Sequence, residues 1–468
     1  MTKSMKTSNR KASYTSTTNA CKLCTPLGAA MAFRGVEGGI PFLHGSQGCA
    51  TYMRRYVISH FREPVDIASS ALGEKNAIYG GGPNLKKGIL NVTKKYEPKV
   101  IGIATTCLTE TIGDDVPMIL GEFNEEFGEL DLPDLVHVST PSYSGTHMDG
   151  WNGAVTSLVE QLCLPAQDVL QKRENSGFAK TRINILPNMI SCEDIRLIKS
   201  ICRDFDVEPT ILPDISETLD GPTLEDYVKV PSGGTPVEKI RSMSTAKGTV
   251  EFGRCLPRKS GGASLQEIFG VSNNRIGIPM GLRESDEFFE MLEELSGNPM
   301  PEYYEQERGR LIDAYVDGHK YVFGKRAVVY GEEDLVVALC AFLAEIGVEV
   351  ILAGTGARKS NLKEAIFDVM EGVSKNMPEV HEGVDFHEIS ERASELKPDL
   401  VIGHSKGYRY ARDWNVPLIR VGFPIHDRFG GQRMLHVGYK GALALFDRIV
   451  NAVLEKKQTD SNIGYGYL

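Results

Sequence analysis

Short apolar runs closed by Gly, Thr or Pro recur along the whole chain, at residues 100–104, 183–186, 210–212, 275–278, 327–330, 348–352, 400–402 and 418–421. Runs this short and this continuously apolar mark strands buried on both faces, as in a parallel sheet. Segments with helical spacing fall between several of them. The cleanest, 335–346, lies between the runs at 327–330 and 348–352. Strand, helix and strand in that order close as a right-handed crossover. The succession predicts an α/β chain of three doubly wound, Rossmann-like parallel-sheet domains at 20–175, 176–320 and 321–468. Length agrees, because 468 residues at roughly 100–200 per domain make about three. Residues 1–19, rich in Ser, Thr and Lys, read as a flexible N-terminal arm. A single Arg and no clear apolar face argue against an organelle presequence. From Lys456 on, a polar tail ends in the small apolar group Tyr465-Gly-Tyr-Leu468.

Charge and cysteine content exclude several classes. Lys+Arg 52 against Asp+Glu 62 gives −10, the wrong sign for a nucleic-acid partner, whose phosphates need a basic face. No uncharged apolar run reaches the roughly 18 residues of a membrane span. The N-terminus lacks the apolar core of a secretory signal. Nine cysteines, odd in number and without a dense framework of small loops, point to a reducing cytoplasm rather than a disulfide scaffold.

Ligands of such sheets sit outside the carboxyl ends of strands, and three cysteines stand in loops of that kind. Cys24 lies in Lys22-Leu-Cys-Thr-Pro-Leu-Gly28, Cys49 closes His44-Gly-Ser-Gln-Gly-Cys49, and Cys107 follows the run at 100–104. Small neighbours let backbone approach the sulfurs of an inorganic cluster and donate N–H bonds to them. The same residues also read as small buried hydrophobes, and their separations of 25 and 58 residues match no compact ligand motif. Cys21 and Cys24 form a C-x-x-C pair that reads as a redox dithiol, half a zinc site or coincidence. Cys163, Cys192, Cys202, Cys255 and Cys340 read as core filler.

Other signals are weaker. His44 reads as a hydrogen-bonded turn histidine or as a support for a cluster loop. Arg62 and Glu63 read as a buried network or as part of a subunit interface. Asp114 and Asp115 cap a helix or face a docking partner. Gly354-Thr-Gly356 reads as a turn. Tyr79-Gly-Gly-Gly-Pro83 lacks a phosphate-loop lysine, and no G-x-x-x-x-G-K-[ST] occurs, so ATP hydrolysis is not expected of this chain.

His44-Gly-Ser-Gln-Gly-Cys49, Ser59-His-Phe-Arg-Glu-Pro64, Thr105-Thr-Cys107 and Ile112-Gly-Asp-Asp115 together resemble the nitrogenase component 1 family, beta-type subunits. So do Thr140-Pro-Ser-Tyr-Ser-Gly145 with Gly150-Trp151, Leu219-Asp-Gly-Pro222, Glu307-Arg-Gly-Arg-Leu-Ile-Asp313, Gly422-Phe-Pro-Ile425 with Asp427-Arg428, and Gly438-Tyr439. The likeness is collinear from about residue 19 to 455. It implies an α2β2 heterotetramer with a homologous alpha-type subunit. It also implies an interface iron–sulfur cluster, 4Fe-4S or of the eight-iron P-cluster type, shared by both chains. An ATP-hydrolysing iron protein would be the transient electron donor. Cys24, Cys49 and Cys107 match this chain's cluster ligands, and Ser142 a serine that approaches the cluster. Lys22-Leu23, Pro64-Val-Asp-Ile-Ala-Ser-Ser70 and the short N-terminus look more like the N-type scaffold subunit for iron–molybdenum cofactor biosynthesis in nitrogen fixation. Retention of all three cysteines and Ser142 looks more like a catalytic beta subunit of a dinitrogenase or nitrogenase-like reductase. A cluster-free structural subunit is the third reading.

Overall fold

The computed structural model describes residues 21–172, 180–226, 228–358 and 360–463. The expected arm at 1–19 and the apolar tip at 465–468 lie outside the described residues. Strands β1 (Gly39–His44), β2 (Ala68–Ser69), β3 (Val100–Thr105) and β4 (Asp134–Val138) form a first sheet in the order β2-β1-β3-β4. Strands β5 (Thr181–Leu186), β6 (Val207–Ile211), β7 (Gly248–Phe252) and β8 (Asn273–Ile276) repeat that pattern as β6-β5-β7-β8. The third sheet comprises β9 (Arg326–Gly331), β10 (Glu349–Thr355), β11 (Glu379–Glu382), β12 (Leu400–Gly403) and β13 (Leu418–Arg420), ordered β11-β10-β9-β12-β13. Every strand pair among the described residues is parallel. The α/β class read from the sequence is therefore the observed one. Strand order reverses between β1 and β3, between β5 and β7 and between β9 and β12. A crevice for ligands opens at the carboxyl ends of the strands at such a reversal.

Packing against the first sheet explains the small residues near its cysteines. Helix Thr25–Arg34 begins with Pro in its first turn and is buried along its whole length. Its Phe33 ring lies over Gly102 of β3, where a Cβ would come within 2.0 Å of the ring. The same helix crosses helix His147–Leu162 with backbone against backbone. A Cβ on Gly28 would sit 1.7 Å from the His147 carbonyl oxygen, and one on Gly150 1.8 Å from that of Thr25. One apolar cluster, including Phe33, Trp151, Phe252 and Phe342, runs across all three sheets.

A buried carboxylate ties the second sheet's layer to the C-terminal helix. Asp194 Oδ1 accepts from the His436 N–H at 2.7 Å and the Val437 N–H at 3.1 Å. Its Oδ2 accepts from His436 Nδ1 at 3.1 Å and from the Ser191 N–H at 3.1 Å. Burial alone would raise this carboxyl, but His436 and the two backbone amides hold it below the usual range. A depressed carboxylate contributes stability above its unfolded pKa, about 3.9, and that contribution is lost as pH falls through the lower folded value. Asp194→Ala should cost about 3–5 kcal/mol, because the His436 ring and three backbone amides lose their acceptor. Denaturant melts at pH 7 check the size. The gap between variant and parent should shrink at the acid end.

Three sequence expectations need correction. The residues from Lys456 do not begin a tail, because helix Gly438–Asp460 continues through them. Arg62 is exposed as the left-handed C-cap of helix Gln47–Phe61, so it builds no buried network with Glu63. Cys255 lies in the loop after β7 rather than in an apolar helix or strand.

Candidate functional site

The three loop cysteines all sit at helix N-termini around the first sheet. Cys24 is the N-cap of helix Thr25–Arg34. Cys49 is the third residue of helix Gln47–Phe61, just after β1. Cys107 opens the short helix Cys107–Ile112, directly after β3. The β1 and β3 loops meet at the point where the strand order of this sheet reverses. Their contact is close. A Cβ on Gly45 would lie 2.0 Å from Thr106 Oγ1, and the Thr106 N–H donates to the His44 carbonyl at 3.1 Å. Ser46 Oγ lies 4.0 Å from Cys49 Sγ.

Ser142 follows β4 and reaches the third cysteine loop, its Oγ accepting from the Thr25 N–H at 3.1 Å. The glycine crossing at Gly28 and Gly150 holds these two segments together. Burial pushes the Cys24 thiol up, hydrogen bonding with Ser142 opposes that, and the neighbouring Cys107 and Cys49 thiols raise it further. Cys49 and Cys107 thus lie close enough to act on Cys24, although the three span 83 residues of sequence. Cys107 is exposed, and Cys24 and Cys49 are half-buried. Cys107 therefore lies at the surface, whereas Cys24 and Cys49 pack against the edge of the apolar core and are only partly covered.

Cys21 is not a fourth member. It is buried in the apolar cluster behind the third sheet, with Tyr330, Leu352 and Phe386. Burial pushes its thiol well up. The C-x-x-C spacing is therefore no dithiol or zinc half-site. Cys163, Cys192, Cys202 and Cys340 are buried as filler.

His44 is the hydrogen-bonded turn residue of the two readings. Its Nδ1 meets Ser70 Oγ at 3.0 Å and its Nε2 meets Asp114 Oδ2 at 3.0 Å. Burial holds the ring below its ordinary pKa against the pull of Asp114. Asp114 also accepts from the Gly81 N–H, and Asp115 caps helix Val116–Phe127 through the Met118 N–H. Asp114 braces the end of β1, ahead of the Cys49 helix, against the turn at Gly80–Gly81, whereas Asp115 caps its own helix at the exposed surface.

Among the described residues, no group of three or more His, Cys, Asp or Glu side chains is arranged to hold a single metal ion. The candidate donors are three thiols and one hydroxyl on separate loops, and thiolates are the ligands of iron–sulfur clusters.

A model of the family described as "Nitrogenase component 1 type Oxidoreductase" matches residues 24–454. The chain belongs to this family. The nitrogenase molybdenum-iron protein beta chain of Clostridium pasteurianum is 34% identical over 441 residues, 94% of this chain and 93% of that one. The nitrogenase iron-molybdenum cofactor biosynthesis protein NifN of Bradyrhizobium diazoefficiens is also 34% identical, over 444 residues, 93% of this chain and 89% of that one. A solved chain described as "Nitrogenase Cp1 at pH 6.5" superposes with a TM-score of 0.90 at 32% identity, covering 99% of this chain and 98% of that one. The component 1 fold thus extends across all three sheets.

Two residues beside this component 1 site were not legible in the sequence. His147 and Glu332 form a buried pair at 3.0 Å, 185 residues apart. No helix among the described residues is long and apolar enough to cross a membrane.

Proposed function

We propose that this chain is a beta-type subunit of a nitrogenase component 1 assembly. Cys24, Cys49 and Cys107 hold its half of an iron–sulfur cluster, with Ser142 beside it, at the seam with a homologous alpha-type chain in an α2β2 heterotetramer. The observation that carries this reading is that Cys49 and Cys107 stand on the two loops at the first sheet's strand-order reversal, with the Cys24 segment tied to the neighbouring loop through Ser142. When bound, the cluster supplies one-electron oxidation and reduction. The chain's residues do the rest. The His44–Asp114–Gly81 brace keeps two loops in register, and the Gly28–Gly150 crossing fixes the third. An ATP-hydrolysing iron protein supplies electrons from outside, in keeping with the missing phosphate loop.

The features leaning to the N-type scaffold are outweighed. Most of the named relatives are molybdenum-iron protein beta chains. Lys22, one of the scaffold-like residues, has a local packing role, with its Nζ donating to the Gly145 carbonyl at 3.2 Å. We therefore favour a catalytic beta subunit, with an eight-iron cluster. The NifN relative keeps the scaffold as the second reading.

Co-expression with an alpha-type chain and anaerobic purification should yield a pair carrying interface iron with an iron–sulfur EPR signature. Iron protein, ATP and reductant should then turn over acetylene or dinitrogen. Iron without turnover would favour the scaffold. A pair free of iron would refute the cluster altogether.

A further inference from the structure

We propose that His147 and Glu332 act as a positioning pair for Cys24, making the place of that thiol depend on how the third sheet seats against the first. The inference rests on the reading of Cys24 as a cluster ligand. Among the described residues, the segment leading to Cys24 has no helix or strand of its own before Thr25, so its course is set by what grips it. The Cys21 carbonyl accepts from the Gly356 N–H at 3.1 Å. The Lys22 carbonyl accepts from Lys406 Nζ at 3.4 Å. The Leu23 N–H donates to His147 Nδ1 at 3.4 Å. Gly356 follows β10 and Lys406 follows β12, so this piece of the first layer is held largely by the third.

His147 is the link with a chemical orientation. The Leu23 amide only donates, so Nδ1 must present its lone pair. In the neutral ring the proton then sits on Nε2, which donates to Glu332 Oε1 at 3.0 Å. Glu332 follows β9 and is the N-cap residue of helix Glu333–Glu345. Both side chains are buried, 5% and 7% exposed, so neither bond is exchanged for water. His147 is the first residue of helix His147–Leu162, and its carbonyl lies at the glycine crossing against Gly28. The ring therefore has little room to move. Without the Glu332 carboxylate only the long 3.4 Å bond from the Leu23 N–H favours this tautomer. A proton on Nδ1 would face the Leu23 N–H, two donors against each other, and the Cys24 segment would lift away.

The test reads the thiol directly and needs no metal. In the full chain without iron, alkylation of Cys24 and Cys107 is followed together by mass spectrometry, with exposed Cys107 as the internal control. Glu332→Leu and His147→Phe should each speed Cys24 labelling roughly tenfold by local opening, with Cys107 unchanged. Glu332→Gln keeps an acceptor oxygen and should stay within about twofold of the parent. In the iron-loaded pair, Glu332→Leu should shift the cluster's reduction midpoint and EPR line shape, and Glu332→Gln should restore both. Unchanged Cys24 labelling in both disruptive variants would overturn the positioning role. So would a parallel rise at Cys24 and Cys107, which marks general loosening. A pair that binds no iron would sink the cluster reading, while the labelling would still decide this one.

Discussion

Gly150→Val should be the most damaging single substitution in the first layer, and Gly28→Val should come close to it. At each position the first side-chain atom would land inside 2 Å of a carbonyl oxygen on the opposite helix. Backbone cannot step aside as a flexible side chain does, so the two helices must part. Forced overpacking usually costs about 1–3 kcal/mol, and these sites belong at or above the upper end. Even Gly150→Ala should lower the thermal midpoint measurably. The double variant should cost less than the sum, because the first substitution already opens the contact that the second needs. The two glycines also set the Thr25–Ser142 hydrogen bond, so separation of the helices should raise Cys24 exposure before global unfolding. Differential scanning fluorimetry, with thiol labelling below the transition, checks both. An additive double variant with unaltered Cys24 would show that the crossing is not shared.

The second large effect concerns metal. In the co-purified pair, Cys49→Ala should strip interface iron and weaken association with the alpha-type chain. Loss of a partner that merely orients a ligand commonly costs 10–100-fold in metal affinity, and loss of a ligand should exceed that. Cys24→Ala and Cys107→Ala should act in the same direction. Cys21→Ala is the informative control, because its thiol lies in the apolar cluster behind the third sheet. It should leave iron unchanged and show only a modest stability loss in a melt. Full iron retention by Cys49→Ala would remove the ligand assignment. Iron loss in Cys21→Ala as severe as in Cys24→Ala would restore the C-x-x-C pair as a site.

Periodicity carried the buried strands well and the mixed ones poorly. The apolar run at 100–104 became β3 and that at 327–330 became β9. Strand β1 was missed because Pro41 sits inside it, and proline ordinarily demotes a run to an edge. Here β2 pairs only with Phe42 and Leu43, so the absent N–H costs no rung on that side. Strand β7 was missed because Thr249 and Glu251 interrupt its apolar pattern. Both are buried, and Glu251 is satisfied by Ser260, Gly262, Asn273 and Arg275. Strand β11, Glu-Val-His-Glu, holds one apolar residue and gives no periodic signal.

The site divided in the same way. Cys107 was legible because it follows an expected strand end, where α/β sheets present their chemistry, and Cys49 because it closes a glycine-rich loop. Cys24 precedes its helix rather than following a strand, and the motif likeness rather than periodicity pointed to it. The fate of Cys21 was hidden because four residues of chain are enough to turn its side chain toward another sheet. The pairing of His147 with Glu332 spans 185 residues, and no local pattern encodes a contact made by domain seating.

The outward aim of Cys107, with Cys24 and Cys49 only half covered, has a consequence for how such a chain must be produced. On the proposed reading, a copy synthesised in excess of its companion would carry an uncapped thiol-bearing rim, open to air and to other stray copies, so matched production of the two polypeptides is the expected requirement.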